Sequence, residues 1–188
     1  MRSSSQKGGK EMTRQLTLRG TITVDDNARS INNQIFSYEA NDLTRGWVLE
    51  AAYFWPSTYR AEIGSADGQY QMNASLATDT IGSAGFDQIC DASDNRQIAW
   101  IAAGFQLRDG PVSDFLSNSG NGPYPAAFTV DPQHVIAHGL YLNCYSTSES
   151  SSSPERTWNY MIVLRPKKLD PKETILHLIK NYAQDVDN

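Results

Sequence analysis

The sequence predicts an all-β domain, an antiparallel sandwich of eight strands, followed by one α-helix near the C-terminal end. Three observations predict this fold class. Apolar and polar residues alternate with the two-residue period of a half-buried strand through much of the chain. No helical pattern separates consecutive predicted strands, which excludes parallel βαβ units. The last residues then change to the 3.6-residue period of a helix.

Composition and charge fit a single domain with an acidic body. The chain has 188 residues, of which 39% are hydrophobic, enough for one packed core. No run approaches the ~20 apolar residues that span a bilayer, and the N-terminal residues lack the hydrophobic stretch of a secretory signal. The net charge of −5 is uneven, because residues 1–14 carry +3 and the remaining residues carry −8.

The first four predicted strands cover residues 15–24, 31–38, 46–55 and 69–77. In the first of them, Gly20 falls on the apolar face, which indicates a bend or a close backbone approach. The third is strongly apolar and ends at Pro56. The fourth alternates apolar and polar side chains almost without exception, so we expect its sheet to have one solvent-exposed face.

The later predicted strands cover residues 97–107, 128–130, 134–145 and 157–165, with 86–90 as a weaker candidate. The last is apolar on both faces, so we expect it deep inside a sheet. Residues 108–125 predict a long polar loop, and the Ser-rich segment 146–154 predicts the tip of a hairpin. Eight irregularly spaced strands without a repeat favour a jelly roll first and an immunoglobulin-like sandwich second.

A capping pattern marks the start of the C-terminal helix. Asp170 is a good N-cap, Pro171 suits the first helical position and Glu173 completes a capping box. The pattern predicts a helix from Pro171 to about Val186. An isolated helix of this length is marginal in water, so docking on its own sandwich or on a neighbouring copy decides whether it forms. The candidate assembly residues on its apolar side are Ile175, Leu178, Ile179 and Tyr182.

The sequence thus divides into a flexible basic arm (residues 1–14), a β-sandwich (15–169) and a helix with its tail (170–188). An acidic body does not bind phosphates by general electrostatics. A weak nucleic-acid contact is therefore expected only at the arm, whose cationic residues are Arg2, Lys7, Lys10 and Arg14.

Metal-binding patterns are incomplete in this chain. His134 and His138 have the spacing of a helical zinc pair, but the segment is strand-like and the expected glutamate is missing. Asp87, Asp91 and Asp94 lack the alternate spacing of a calcium loop, so we expect them in a hydrogen-bonded turn. No metal ion or cofactor is predicted.

Motifs of enzymatic chemistry are also missing from the sequence. It contains no GxSxG, Walker loop or GxGxxG, so we expect no enzyme. A hydrolase with Asp87, Asp91 and Asp94 converging in a cleft is the remaining rival. Cys90 and Cys144 lie within predicted strands and are expected to be buried thiols, although a disulfide between them stays open.

Four segments carry a resemblance to a known group of proteins: 16–20 (LTLRG), 94–100 (DNRQIAW), 130–136 (VDPQHVI) and 159–164 (NYMIVL). With them, the chain resembles uncharacterised virion structural proteins of uncultured marine viruses, mostly bacteriophages. The resemblance implies a virion component, a single jelly-roll capsid protein that assembles with itself and with other virion proteins. The alternative is a carbohydrate- or receptor-binding module of a fibre or spike, with loop residues Tyr59 and Tyr124 as stacking candidates.

Overall fold

A computed structural model describes residues 14–25, 28–38, 44–57, 68–82, 88–107, 115–117, 126–148, 156–170 and the single positions 172, 175, 176 and 179. The described residues form ten strands: β1 (Leu16–Val24), β2 (Ala28–Ser37), β3 (Arg45–Pro56), β4 (Gly68–Ala77), β5 (Gln97–Leu107), β6 (Phe115–Ser117), β7 (Ala126–Ala127), β8 (Thr129–Val130), β9 (Gly139–Ser148) and β10 (Arg156–Lys168).

Two antiparallel sheets contain these strands. The first sheet has the order β1-β10-β3-β7, and the second has the order β2-β9-β4-β5-β6, with β8 also paired to β5. The pairing is nested, because β4 pairs with β5, β3 with β7, β2 with β9 and β1 with β10. Successive pairs alternate between the two sheets, as in one long hairpin that has been rolled up. This is a jelly roll, so the first choice is confirmed and the immunoglobulin-like alternative is wrong.

The core lies between the two sheets and follows the predicted alternation. In β4, Met72, Ala74 and Leu76 all point inward and are at most 1% exposed. In β10, Ile162 and Leu164 are fully buried, and the strand is paired on both sides, by β1 and β3. The prediction that this strand lies deep in a sheet is therefore confirmed.

Gly20 makes the close approach that its position predicted. It lies opposite Tyr160 in the β1–β10 ladder. A Cβ atom at Gly20 would overlap the phenol ring of Tyr160, with its Cε1 atom only 2.9 Å away. The glycine therefore leaves room for an aromatic side chain that lies across β1 and packs against the core.

Several predicted boundaries are wrong. Cys90 is not in a strand but in a turn, where its φ angle of 72° interrupts extended backbone. Residues 134–138 precede β9 and form no regular strand: Ile136 makes an isolated bridge with Trp47, and the carbonyl oxygen of His138 accepts from the N–H of Tyr38 at 2.7 Å. The short strands β6, which falls inside the predicted 108–125 loop, and β7 were not predicted, whereas β8 lies within the predicted strand 128–130.

The Ser-rich connection is also different from the prediction. It joins β9 in the second sheet to β10 in the first, so it crosses between sheets and does not tip a hairpin. The consecutive apolar strands β9 and β10 therefore lie in opposite sheets, on either side of the core. This follows from the nested pairing, in which β9 pairs with β2 and β10 pairs with β1. Local patterning cannot distinguish these two arrangements.

The start of the C-terminal helix agrees with its capping pattern. The Oδ1 atom of Asp170 accepts a hydrogen bond from the backbone N–H of Lys172 at 3.1 Å, which is the predicted N-cap. Helical conformation is described at four positions, Lys172, Ile175, Leu176 and Ile179. Among the described residues, no helix has the length and apolar character needed to cross a membrane.

Candidate interaction surface

The structure describes three of the eight predicted assembly residues. Arg14 is exposed and lies just before β1. Ile175 and Ile179 are exposed after the cap at Asp170. The predicted residues that lie outside the described part of the chain are Arg2, Lys7, Lys10, Leu178 and Tyr182, together with the ligand candidates Tyr59 and Tyr124.

Three apolar side chains stand out on the surface, and we call them the end-helix patch: Ile175, Leu176 and Ile179. They are 54%, 62% and 59% exposed, and they are the exposed large hydrophobic residues of the described part of the chain. Single surface apolar residues are ordinary, but neighbours at helical spacing form a contiguous apolar surface. Leu176 was not among the predicted residues, although it lies three positions before Ile179, a spacing that makes the two side chains neighbours on a helix.

The body holds the chain firmly up to the start of this patch. Leu169 is 3% exposed, and its backbone N–H donates to the carbonyl oxygen of Thr44 at 2.7 Å. A Cβ atom at Gly46 would lie 2.9 Å from the Cδ1 atom of Leu169, so this leucine packs closely against the start of β3. The end-helix patch therefore begins six residues after a buried anchor.

The outer face of the second sheet is covered around Ser75 and Ala77, where the prediction of a solvent-exposed face is wrong. Ser75, which alternation places on the outside of β4, is completely buried. The described residues of the connection between β4 and β5 (78–82 and 88–96) lie over this part of the face, where Ala77, Ile81 and Ile89 form a second apolar cluster. The alternation of β4 could not predict this cover, because the covering segment has no apolar period of its own.

Asn32 fixes that covering connection to the sheet. Its backbone N–H donates to the Oδ1 atom of Asn143 at 2.7 Å. Its side chain makes a two-way contact with Ile81, because Nδ2 donates to the carbonyl oxygen at 2.9 Å and Oδ1 accepts from the N–H at 2.8 Å. Asn32 has a φ angle of 59°, in the left-handed region that asparagine tolerates better than most residues.

Gln97 and Arg96 hold the other end of the covering connection. The Oε1 atom of Gln97 accepts from the backbone N–H of Cys90 at 3.0 Å, and Nε2 donates to the carbonyl oxygen of Gln88 at 2.6 Å. Arg96 donates to both carboxylate oxygens of Asp94 at 2.9 and 3.0 Å, and to the carbonyl oxygen of Thr80 at 3.1 Å. At this end of the connection, side-chain hydrogen bonds from Gln97 and Arg96 thus satisfy backbone groups that have no partner in a strand ladder.

The aspartates considered for metal or acid–base chemistry form local hydrogen bonds. Asp94 is paired with Arg96, and the Oδ1 atom of Asp91 accepts from both the backbone N–H and the hydroxyl of Ser93. The predicted hydrogen-bonded turn is confirmed at these two residues, while Asp87 lies outside the described residues. Among the described residues, no group of three or more His, Cys, Asp or Glu side chains is placed to hold a metal ion.

Both cysteines are free thiols. The Cys90 thiol donates to the carbonyl oxygens of Ala74 at 3.2 Å and Ile101 at 3.5 Å. Burial raises the pKa of Cys90 to about 11 and the pKa of Cys144 to about 12. Because the thiolate is the reactive form, both groups are poor nucleophiles at neutral pH.

His134 has a structural position, as predicted. Its Nε2 atom accepts from the backbone N–H of Leu49 at 2.6 Å, and its Nδ1 atom contacts the carbonyl oxygen of Asp131. These two partners require a neutral ring with the proton on Nδ1. The imidazole lies between the contact of Phe128 with Ala52 and the bridge of Ile136 with Trp47, so it completes the pairing along β3.

Comparisons with known proteins add little to this geometry. No protein-family model matches the chain, and no curated protein matches it. Among solved structures, the chain is similar to VP1 of Trichodysplasia spinulosa-associated polyomavirus, in complex with sialylated precision glycooligomers. The identity is 11%, the match covers 81% of this chain and 77% of that one, and the TM-score is 0.31. A similarity at this level carries no conclusion about function.

Proposed function

We propose that this protein is a structural subunit of a viral capsid and acts by assembling with copies of itself. The observation that carries the proposal is the end-helix patch, three exposed apolar side chains that begin six residues after a buried anchor at Leu169. The jelly roll supplies a rigid body for such a contact, and jelly rolls are a recurrent fold of capsid subunits. The resemblance of four sequence segments to virion structural proteins supports the same assignment.

The energetics require the patch to be used repeatedly. Burying one Ile or Leu side chain completely contributes roughly 1.5–3 kcal/mol. Association costs at least about 4 kcal/mol in lost freedom, so one patch gives at most a weak pair. Symmetric assembly lets every subunit donate and receive the same contact, which multiplies a weak interaction over a closed shell.

The test is the assembly state of the purified chain, measured by light scattering after size exclusion and by negative-stain microscopy. We expect closed particles or defined oligomers for the wild-type chain. The double variant Ile175→Ser with Ile179→Ser is expected to shift the protein to monomers, because the patch loses its apolar area. Lys172→Ser is the matched control, since it changes an exposed polar side chain of the same stretch.

A wild-type chain that stays monomeric at the highest attainable concentration, with no particle in any preparation, contradicts the proposal. An unchanged assembly state in the double variant contradicts the assigned role of the patch.

We also propose a weak nucleic-acid contact through residues 1–14, whose net charge is +3 beside a body of −8. Phosphate contacts of this kind weaken steeply with salt. Deleting residues 1–13 is expected to abolish retention of single-stranded DNA at low ionic strength. Retention that survives the deletion unchanged would place the contact elsewhere.

A further inference from the structure

Three polar side chains lie in one row across the outer face of the second sheet. Ser75 of β4 is opposite Asn143 of β9 on one side and opposite Trp100 of β5 on the other. Cross-strand neighbours have Cβ atoms about 4.5–5.5 Å apart, so the row is compact. Ser75 and Asn143 are both 0% exposed.

Each of these side chains has a buried polar atom that no protein group satisfies. The atoms are the Oγ of Ser75, the Nδ2 of Asn143 and the Nε1 of Trp100, none of which has a hydrogen-bond partner in the described structure. Buried polar atoms are nearly always hydrogen-bonded, since an unmet donor costs about 1–3 kcal/mol. Three such atoms in adjacent positions point to a shared partner.

The orientation of the Asn143 amide is fixed by a neighbour. Its Oδ1 atom accepts from the backbone N–H of Asn32 at 2.7 Å, and exchanging the amide atoms would place two donors against each other. The Nδ2 group therefore remains a donor. The Trp100 indole is also a donor only, and the Ser75 hydroxyl both donates and accepts. The row lacks acceptors for two N–H groups.

We propose that Ser75, Asn143 and Trp100 bind a buried water molecule between the second sheet and the connection that covers it. A water molecule accepts from the Nδ2 group of Asn143 and the indole N–H of Trp100, and exchanges a third hydrogen bond with the Ser75 hydroxyl. Buried waters typically make about three such bonds to otherwise unsatisfied groups. The three side chains are uncharged and their polar atoms are buried, which favours water over an ion.

The water explains why polar residues persist beneath an apolar cover. Ala77, Ile81 and Ile89 form the apolar part of the contact, and Asn32 clips the covering connection to Asn143. The bound water connects the three strands β9, β4 and β5 on the same face. It would hold the covering connection in one position, because a shift of that connection would expose the three polar atoms to solvent or leave them without a hydrogen-bond partner.

The direct test is a high-resolution crystal structure or cryo-EM map of the wild-type chain, assembled or not. We expect a single peak within about 2.7–3.2 Å of all three polar atoms. A map in which Asn143 Nδ2 bonds directly to Ser75 Oγ, with no peak between them, overturns the proposal.

Variants test the same site independently of particle formation. Ser75→Val fills the position with methyl groups and is expected to abolish the peak. The same change should shift the Trp100 indole band that reports N–H hydrogen bonding in ultraviolet resonance Raman spectra, with Trp100→Phe identifying that band. Thr23→Val is the matched control, because it replaces a hydroxyl on the exposed face of the first sheet. An indole band that is identical in wild type and Ser75→Val contradicts a shared water.

Discussion

Side chains take the place of missing backbone partners at several single residues. Asn32 pairs with both backbone groups of Ile81, Gln97 satisfies the turn at Cys90, and His134 accepts from Leu49. Each one lies where a strand bulges or ends, so the ladder alone leaves backbone groups unpaired. The residue types are readable from the sequence, but their partners are not, because they lie up to 85 positions away.

Replacing His134 tests whether its imidazole takes the place of a backbone acceptor for the Leu49 N–H. In His134→Ala, the Leu49 N–H loses its acceptor inside the protein, and we expect the free energy of unfolding to fall by about 1–3 kcal/mol. Urea denaturation measures the change. His138→Ala is the control, because His138 is exposed and a change within about 0.5 kcal/mol is expected there. Equal effects at the two histidines would refute the structural role of His134.

Gly20 and Tyr160 form a second testable pair. Gly20→Ala forces the phenol ring out of its position over β1, and we expect a loss of about 1–3 kcal/mol from overpacking. In a Tyr160→Ala background the ring is absent, so the same glycine substitution should cost almost nothing. A double-mutant cycle from chemical denaturation gives the coupling. Additive effects would mean that the two positions do not interact.

The buried thiols predict a dependence of stability on alkaline pH. The ordinary thiol pKa is 9.0, and burial raises that of Cys90 to about 11 in the folded protein. A raised folded-state pKa favours the protonated native form, so this contribution is complete below pH 9 and is lost as the pH rises through about 11. We expect the urea midpoint to fall over that window. Cys90→Ala should reduce the slope, and an unchanged slope would contradict the assignment.

At the scale of elements, two kinds of strand could be predicted. One kind alternates apolar and polar residues because it has one buried face, and the other is apolar throughout because both of its faces are buried. Alternation located β4, and continuous apolarity located β10 in the middle of its sheet. The short strands β6 and β7 have three and two residues, too few for a period to be visible. Burial of Ser75 depends on a covering segment that has no period at all.

The helix start can be tested through its cap. Asp170→Ala removes the acceptor for the Lys172 N–H, and we expect a loss of about 1 kcal/mol of helix stability. Amide hydrogen exchange at Ile175 and Leu176 should become faster, because the first turn loses its cap. Asp170→Asn is the matched control, since asparagine caps about as well as aspartate. Faster exchange in both variants would point to charge as the cause instead of the cap.

At the scale of the whole molecule, the nested pairing of strands could be inferred only as a preference among sandwiches. Strand number and spacing favoured a jelly roll, but pairing partners such as β1 and β10 are almost the full chain apart. The candidate assembly surface could be predicted only in part. Helical spacing in the sequence selected Ile175 and Ile179, whereas Leu176 was recognised from its exposure in the structure. Interaction partners are not encoded in any local pattern.

The charge of the whole chain makes a prediction about assembly. Each copy carries −5, so neighbouring copies repel one another at low ionic strength. Raising the salt concentration screens this repulsion, and we expect the concentration needed for particle formation to fall. Light scattering over a salt series at fixed pH measures it. A threshold that rises with salt would indicate that attraction between opposite charges dominates the contact.

Because the first strand of the roll pairs with the last, Leu16 lies beside Leu164. Whatever precedes β1 and whatever follows β10 must leave the molecule from neighbouring positions. A tag, cargo or fluorophore attached before residue 14 would therefore be joined at the same end of the first sheet from which the chain continues toward Ile175, Leu176 and Ile179. If copies assemble through the end-helix patch as proposed, payloads are better attached at the opposite end of the first sheet.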